Sequence, residues 1–343
     1  MSNYINQRNK KCREGIGKNL ENLPDFCLDY FLAIENTTSP LTRLNYSQDL
    51  VIFFDYLSQN KYNKKATDIT YSDLNQVKAR DIEMFLSYVN MYEQNGRQYV
   101  NGEKGKARKL ATIRSFFKYL FTCEKIASDV AMKVSTPKIH TKPIVRLETN
   151  EVCKLINEAE NPQGLTDRQK AFNKRTTKRD VAILTLLLGT GIRVSECVGI
   201  DVKDVDFEND CFNVTRKGGN QVILYFSNEV RTALLNWLDE REILMQDNTD
   251  EQALFVSLQK KRMCVRAVEK LVKKYSQIAS PLKKISPHKL RSTYGTNLYR
   301  ETGDIYVVAE VLGHKDVNTT KKHYAAMSED IKRSVANKVK LRD

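Results

Sequence analysis

The chain has 343 residues, 41% of them hydrophobic, which suits two domains of ordinary size with sizeable cores. Its 56 Lys and Arg residues outnumber its 42 Asp and Glu residues, and the resulting charge of +14 is spread along the chain, as in a protein that lies against nucleic acid. A basic protein without such a partner would have the same composition, whereas seven scattered cysteines without a Cys-x-x-Cys pair argue against a disulfide framework and structural zinc.

The first part of the chain is predicted to be a helical domain over residues 1–138. Ser39 and Pro40 have the residue types of a helix N-cap and a first helical residue. Apolar residues then recur at helical spacing in 44–57, 82–89 and 110–120. Between the last two helices, the stretch NGRQYVNGEKGKARK is polar, contains glycine and is basic, so we predict a loop that runs into a helix start.

Residues 139–147 are predicted to be an interdomain linker, because the surrounding segment STPKIHTKPIVRLET holds two prolines and few large apolar residues. The second domain is predicted over residues 148–343. It opens with a helix at 149–159, followed by the apolar helix DVAILTLLLGTG, which Gly189 and Gly191 should stop.

A β-hairpin is predicted next, since CFNVTRKGGNQVILYF alternates apolar residues on both sides of Gly218-Gly219. Further helices are predicted over 230–244, 266–278, 287–300 and 305–312.

This second domain also carries a set of basic side chains that is followed by a tyrosine. In chain order these residues are Arg193, Lys217, His288, Arg291, His314 and Tyr324. Two arginines, a lysine and two histidines can bind and neutralise one phosphate, and a tyrosine hydroxyl can attack it. Such a set can break and rejoin DNA without a metal or ATP.

Taken singly, the first two members of the set have ordinary alternatives. Arg193 follows a Gly-Thr-Gly turn and should begin a helix, with Glu196 one turn later on the same face. Glu196 could support Arg193 in a binding site, or the two could form a surface salt bridge. Lys217 at the hairpin tip could deliver a proton to a leaving oxygen, or could be a solvated turn lysine.

The later members lie beside predicted helix ends. Ser286 and Pro287 should be the N-cap and first residue of a helix, which places His288 and Arg291 on one face of its first turn, where anions bind. A surface pair would have the same spacing. Gly313 should end the following helix just before His314, and a helix that carries Tyr324 should begin near residue 318.

The local contexts of these residues resemble those of one protein family, the tyrosine recombinases of the lambda-integrase family, which includes the Xer and Cre proteins. The segments that carry the resemblance in the second domain are GTGIRVSE, VTRKGGN, SPHKLRSTYGT and LGHKDVNTTKKHY. In the first domain, SPLTRLNYSQDLVIFFDYL and RKLATIRSFFKYL are similar to the family's DNA-clamping domain. The resemblance implies a mainly α fold with a small β-sheet, made of a helical SAM-like core-binding domain and an α+β catalytic domain.

The resemblance also implies roles at matching positions. Arg193 and Arg291 would bind the non-bridging oxygens of a DNA phosphate, and His314 would help to bind them. Tyr324 would be the nucleophile and would form a 3′-phosphotyrosyl intermediate. Lys217 would protonate the leaving 5′ oxygen.

His288 would then assist proton transfer to and from the tyrosine.

Two positions depart from the Xer pattern. Ser292 stands where Xer-like members usually have His, and the hairpin reads RKGGNQ where many members have a second basic residue after the turn. These departures bear on DNA contacts and on the placement of the hairpin.

The implied partner is double-stranded DNA with a specific recombination site of inverted half-sites, bound by a homotetramer. No cofactor, metal ion or membrane is expected. In the first domain, the residues expected to touch DNA phosphates are Arg43, Lys106, Arg108 and Arg114, unless they are ordinary exposed helix positions. The tail after the tyrosine, with Ile331, Val335 and Val339 on one face, would dock on a neighbouring subunit or fold back on its own domain.

The expected location is the cytoplasm of a bacterial-type cell, in association with the nucleoid. The N-terminal MSNYINQRNKKCREG has no apolar core of a secretory signal, and the longest apolar run is too short to span a bilayer.

Other functions remain open from the sequence. A type IB topoisomerase uses similar chemistry as a monomer without a defined site. A non-catalytic DNA-binding protein would retain only the shape. A metal-dependent nuclease is disfavoured because no carboxylate cluster near these motifs offers the spacing for two metal ions.

Overall fold

A computed structural model of the chain describes residues 3–94, 96–140, 145–162, 173–216, 219–247, 251–314 and 316–318. These residues are mainly helical, as the sequence predicts, and they form two small antiparallel sheets where one was expected. The chain divides into two compact units, and the boundary after residue 142 falls inside the segment 139–147. Within the described ranges, no helix combines the length and the apolar character that a bilayer span requires.

The first unit consists of helices around an aromatic core. Its helices are α1 (Asn3–Leu20), α2 (Cys27–Ala33), α3 (Pro40–Leu57), α4 (Tyr71–Asn75), α5 (Ala79–Tyr88) and α6 (Glu103–Thr122), with a π-helical turn (Ser58–Tyr62) and 3₁₀ turns (Ala66–Asp68 and Val130–Lys133). The predicted start of α3 is confirmed, because Pro40 is its first residue and Ser39 Oγ accepts the backbone N–H of Thr42 at 3.2 Å.

Buried rings from three helices form the centre of this unit. Phe53 of α3 lies edge-on to Phe85 of α5, with ring centroids 5.1 Å apart, and edge-on to Phe117 of α6 at 6.2 Å. All three side chains are fully buried. Because edge-to-face pairs add to the free energy of area burial, these rings fix α3, α5 and α6 against one another.

The stretch NGRQYVNGEKGKARK corrects one prediction. Part of it is not a loop but the second strand of a hairpin, in which β1 (Met91–Gln94) pairs antiparallel with β2 (Arg97–Val100). Gly96 has φ +67°, a left-handed conformation that glycine adopts without strain. The rings of Tyr92 and Tyr99 stack across the strands at 5.3 Å, so the hairpin gains a cross-strand pair.

The second unit packs helices around a buried helix and beside a small sheet. Its helices are α7 (Thr149–Glu160), α8 (Thr177–Thr190), α9 (Val194–Cys197), α10 (Asn228–Met245), α11 (Val265–Ala279), α12 (Pro287–Thr302) and α13 (Ile305–Leu312), with a 3₁₀ turn (Val202–Asp204). Its strands are β3 (Val205–Asp206), β4 (Cys211–Thr215) and β5 (Gln221–Tyr225), in the antiparallel order β3-β4-β5. The predicted helices that fall within the described residues, and the β4–β5 strand pair, are therefore present, whereas the helix predicted to carry Tyr324 lies outside the described residues.

Helix α8 is the centre of this unit, because it packs against α7, α10 and α12. It ends at Thr190, and Gly191 is its C-cap residue with φ +61°. A side chain at 191 would overlap the ring of Tyr294, so both the backbone and the space favour glycine here. Gly189 was also predicted to stop the helix, but this prediction is wrong. Gly189 lies within the last turn of α8.

A candidate phosphate-binding site in the second unit

Arg193 and Glu196 form the ion pair that their spacing predicts. Arg193 is the N-cap residue of α9, and its Nη1 donates to Glu196 Oε1 at 2.9 Å. The backbone N–H of Arg193 donates to the other carboxylate oxygen of Glu196 at 3.1 Å. The carboxylate is buried while the guanidinium is about one-third exposed, so Glu196 holds a cation whose outer edge faces solvent.

The backbone oxygens of residues 310–313, at the end of α13, collect guanidinium groups from separate parts of the unit. We call these oxygens the carbonyl cluster. Arg193 Nη2 donates to the oxygen of Gly313 at 3.2 Å. Arg291 Nη2 donates to the neighbouring oxygen, that of Leu312. Because the last carbonyls of a helix have no partner within it and form the negative end of its dipole, cations are stabilised there.

Arg291 is the most deeply placed of the predicted phosphate ligands. It lies at the start of the second turn of α12, is 5% exposed, and donates through Nη1 to the oxygen of Gly191 at 2.5 Å. Arg291 therefore joins three segments, namely the turn after α8, the start of α12 and the end of α13. Arg193 and Arg291, which the sequence proposed as one pair, bind adjacent oxygens.

The two histidines lie beside this arrangement. His314 directly follows Gly313, the left-handed C-cap residue of α13, and its backbone N–H donates to the oxygen of Ala309 at 2.9 Å. Its side chain is half-buried. The start of α12 is confirmed, with Ser286 as N-cap and Pro287 as first helical residue, so His288 is the second residue and lies exposed one turn before Arg291.

Lys217 and Tyr324 both lie outside the described residues, as does the tail with its apolar positions 331, 335 and 339. The strands that flank the hairpin turn are described, and Arg216 N donates to the oxygen of Asn220 at 2.8 Å. After α13, Asp316 caps the next turn, because its Oδ1 accepts the backbone N–H of Asn318 at 2.9 Å.

Arg216 is a residue of this region that our sequence analysis did not select. Its Nη2 donates to the oxygen of Val311 at 2.7 Å and its Nη1 to that of Glu310 at 3.4 Å, so it also binds the carbonyl cluster. Burial lowers the pKa of its guanidinium from the ordinary value, the carboxylate of Glu196 opposes this, and the charge of Arg193 adds to it. The sequence signal was a basic residue immediately before Lys217.

Two of the four basic residues proposed in the first unit make contacts within that unit. Arg43 is buried and pairs with Glu35 at 2.8 Å. Arg114 donates to the backbone oxygens of Ala131 and Val134 and, at 2.8 Å, to the hydroxyl of Thr136. These contacts give Arg43 and Arg114 a role in stabilising the unit.

The other two basic residues lie at its surface on α6. Arg108 is exposed, and its Nη1 pairs with Asp49 Oδ2 at 2.7 Å. The same carboxylate is buried and accepts from Lys109 Nζ at 2.9 Å, so it links α3 to α6. Lys106 is half-buried, one turn into α6. Of the four proposed residues, Arg108 is therefore exposed, Lys106 and Arg114 are half-buried, and Arg43 is buried.

Within the described part of the chain, no group of three or more His, Cys, Asp or Glu side chains is arranged to hold a metal ion. The site described above is instead defined by guanidinium groups, a buried carboxylate and a histidine.

Comparison with known proteins gives matches over both units. Residues 145–330 match the Phage integrase family, and residues 28–123 match the Phage integrase N-terminal SAM-like domain. The chain is 32% identical over 324 residues to tyrosine recombinase XerC of Caldanaerobacter subterraneus subsp. tengcongensis, which covers 91% of this chain and 84% of the relative. It is 27% identical over 359 residues to tyrosine recombinase XerS of Lactococcus lactis subsp. cremoris (strain MG1363). That alignment covers 94% of this chain and 99% of the relative.

The fold is also found among solved structures. The XerH site-specific recombinase bound to difH substrate, in a pre-cleavage complex, aligns with a TM-score of 0.61 at 20% identity over 84% of this chain and 76% of that chain. The alignment supports the predicted combination of a SAM-like helical domain and an α+β catalytic domain.

Proposed function

Because the chain belongs to the phage integrase family and is a tyrosine recombinase, we propose that it cuts and rejoins DNA at a specific site with Tyr324 as nucleophile. The observation that carries this proposal is the placement of Arg193 and Arg291 on adjacent oxygens beside His314. Two guanidinium groups held this way can bind the non-bridging oxygens of one phosphate, since each presents several donors in a fixed plane.

In the proposed cleavage step, the Tyr324 oxygen forms a bond to phosphorus while the bond from phosphorus to the 5′ oxygen breaks. The products are a 3′-phosphotyrosyl link and a free 5′ hydroxyl. Rejoining is the reverse attack by a 5′ hydroxyl, and the covalent intermediate retains the bond energy between the two steps. No ATP or metal ion takes part in this scheme.

Negative charge grows on the phosphoryl oxygens as the bonds exchange. Fixed cations that already face the phosphate stabilise this charge without reorganising, and loss of one such donor costs about 10²–10³ in rate. Arg193 and Arg291 have this role here, with His314 as a further donor. Glu196 acts on Arg193, because its two carboxylate oxygens bind the guanidinium and the backbone N–H of the same residue.

Two proton transfers complete the step. Lys217, in the turn of the β4–β5 hairpin, donates a proton to the leaving 5′ oxygen. His288, on the first turn of α12, takes the proton of the Tyr324 hydroxyl and returns it on rejoining. A positioned acid or base of this kind contributes about 10²–10⁴ in rate.

The proposed substrate is double-stranded DNA with two inverted half-sites, and four copies of the chain act on two such sites. Phosphate contacts, including those of Lys106 and Arg108, supply most of the affinity, while contacts to base edges select the site. The biological task is integration or excision of a mobile element or resolution of chromosome dimers. For each of these tasks, the protein would act on DNA in the cytoplasm, at the nucleoid.

A direct test uses a pool of duplexes with two inverted half-sites of random sequence around a short spacer. The protein is incubated with this pool in the presence of a metal chelator, and protein–DNA complexes that survive denaturation are isolated. We expect covalent complexes, and the captured sequences identify the site. A second reaction with two copies of the captured duplex then measures strand exchange.

The alternatives predict other outcomes. Covalent complexes without strand exchange, together with relaxation of a supercoiled plasmid in a parallel assay, would indicate a topoisomerase-like enzyme, and binding without covalent complexes would indicate a DNA-binding protein. Cleavage that the chelator abolishes would indicate a nuclease. The recombinase relative, which aligns with 91% of this chain, favours exchange.

A further inference from the structure

The side chain of Arg216 connects two segments that are far apart in sequence. Arg216 directly follows β4, and its guanidinium donates to the oxygens of Glu310 and Val311, 94 and 95 residues further along the chain. The two bonds run from the two terminal nitrogens of one planar group, so they restrain its orientation as well as its position.

The end of α13 is shaped to receive this guanidinium. Gly313 has no side chain, and a Cβ built at this position would overlap the terminal nitrogen and the central carbon of Arg216. The absence of a side chain at 313 therefore allows Arg216 to lie against the backbone at the C-cap. The residue that follows the glycine is His314.

The backbone around Arg216 is also fixed. Thr215 is paired with Gln221 in the β4–β5 ladder, and beyond this pair Arg216 N donates to the oxygen of Asn220 at 2.8 Å. The N–H of Gly219 donates back to the oxygen of Arg216 at 3.0 Å. Consecutive Cα atoms lie about 3.8 Å apart, so an anchored Arg216 sets the point from which Lys217 extends.

Burial of a third guanidinium beside Arg193 is unfavourable unless hydrogen bonds compensate for the lost water. The Nε atom of Arg216 is buried and has no hydrogen-bond partner among the described residues. The visible compensation comes from the carbonyl cluster, at the negative end of the α13 dipole, and from the charge of the Glu196 carboxylate. Arg216 is thus specifically matched to the end of α13.

We propose that Arg216 is a positioning residue that anchors the β4–β5 hairpin to the end of α13 and so places Lys217 for proton donation to the leaving 5′ oxygen. This inference rests on the proposed recombinase chemistry. It goes beyond that chemistry because it assigns a role to a cation that does not itself need to touch DNA.

The test compares cleavage by Arg216→Ala and by wild type on the captured duplex and on the same duplex with sulfur as the bridging 5′ atom. A thiolate leaves without protonation, so a defect that acts through the general acid disappears on the sulfur substrate. We expect Arg216→Ala to cleave the oxygen substrate about 10²-fold more slowly, the size of effect that a misplaced catalytic group produces. On the sulfur substrate it should match wild type.

A double variant makes the test quantitative. If Arg216 acts through Lys217, the variant Arg216→Ala/Lys217→Ala should cleave the oxygen substrate no more slowly than Lys217→Ala alone.

Arg231→Ala is the matched control. Like Arg216, Arg231 donates to a backbone oxygen of this unit, that of Phe207, and it also pairs with Asp210 at 2.5 Å. These contacts lie away from the hairpin turn. We expect this control to cleave both substrates normally.

Several outcomes would overturn the proposal. Equal slowing of Arg216→Ala on both substrates would mean that Arg216 binds the phosphate itself, and normal cleavage would mean that the anchor is dispensable. If Arg216→Ala does not fold, Arg216→Lys serves instead, because one ammonium keeps the charge but not the planar pair of donors. Wild type that forms no covalent complex on either substrate would refute the proposed function instead.

Discussion

Arg193 and Arg291 donate to the backbone oxygens of Gly313 and Leu312, two neighbours at the end of α13. The two arginines come from different helices, and a single short segment sets their separation. A phosphate that binds both would lie next to His314, which follows the same segment.

Tyr324→Phe should abolish the covalent DNA complex while leaving DNA affinity nearly unchanged. The phenol oxygen is the proposed nucleophile, and the ring that remains fills the same space. Denaturing gels measure the complex and a binding assay measures the affinity. Tyr299→Phe, which removes a hydroxyl from α12, is the control and should form the complex normally. Covalent complex at wild-type yield from Tyr324→Phe would place the nucleophile elsewhere.

Arg291→Ala and Arg193→Ala should differ in stability although both slow cleavage by about 10²–10³. Arg291 is buried, so its removal leaves the oxygens of Gly191 and Leu312 without this donor, at a cost of about 1–3 kcal/mol in the free energy of unfolding. Arg193 is partly exposed, and its loss should cost less stability. Urea denaturation gives the free energies, and equal losses would contradict the burial argument.

Glu196→Ala should slow cleavage with little change in DNA affinity. The buried carboxylate orients Arg193, and a guanidinium misplaced by about 1 Å costs about 10²-fold in rate. Single-turnover cleavage at saturating protein separates this effect from binding. Glu208→Ala removes an exposed carboxylate of the same unit and should leave the rate unchanged. A rate loss explained entirely by weaker binding would remove Glu196 from its positioning role.

In the first unit, alanine at Lys106 and at Arg108 should each reduce the slope of log affinity against log salt by about one unit. Arg43→Ala should leave this slope unchanged and lower the free energy of unfolding, because Arg43 is buried against Glu35. Binding measured over a range of salt concentrations, with a parallel denaturation curve, checks both statements. A slope reduced by Arg43→Ala would return that residue to the DNA-facing surface.

Deletion of residues 329–343 should spare the binding of one copy to a half-site and weaken the cooperative filling of two half-sites. The apolar positions 331, 335 and 339 would form one face of a helix that needs a partner surface, and docking on the next copy closes a ring of subunits. Band-shift titrations on single and paired half-sites measure the difference. Cooperativity equal to that of the full chain would favour docking within one copy.

Much of the fold was readable because local signals agreed. The caps Ser39 and Ser286, each followed by proline, and the terminal Gly313 mark helix ends through chemistry that acts over a few residues. The hairpin β1–β2 was missed although an Asn-Gly pair precedes Arg97, since the basic, polar composition of the stretch suggested a loop.

The placement of individual side chains was less accessible. Nothing near Arg43 in the sequence indicates that its side chain is buried against Glu35, because burial is decided by how α3 packs on its neighbours. The role of Arg216 likewise depends on oxygens more than 90 residues away. The spacing of motifs identified the site residues as a set, whereas their common attachment to the end of α13 emerges only from the folded chain.

The geometry at Gly313 has a consequence for substitutions at positions 216 and 313 of this chain. A larger residue at 313 meets two independent obstacles, a left-handed backbone with φ +61° and overlap with Arg216. A compensating change at 216 would remove the overlap but not the backbone strain, about 1–2 kcal/mol for a residue with a Cβ. A residue with a Cβ at 313 would therefore displace the Arg216 guanidinium and also bear the backbone strain, whereas loss of Arg216 leaves Gly313 unstrained.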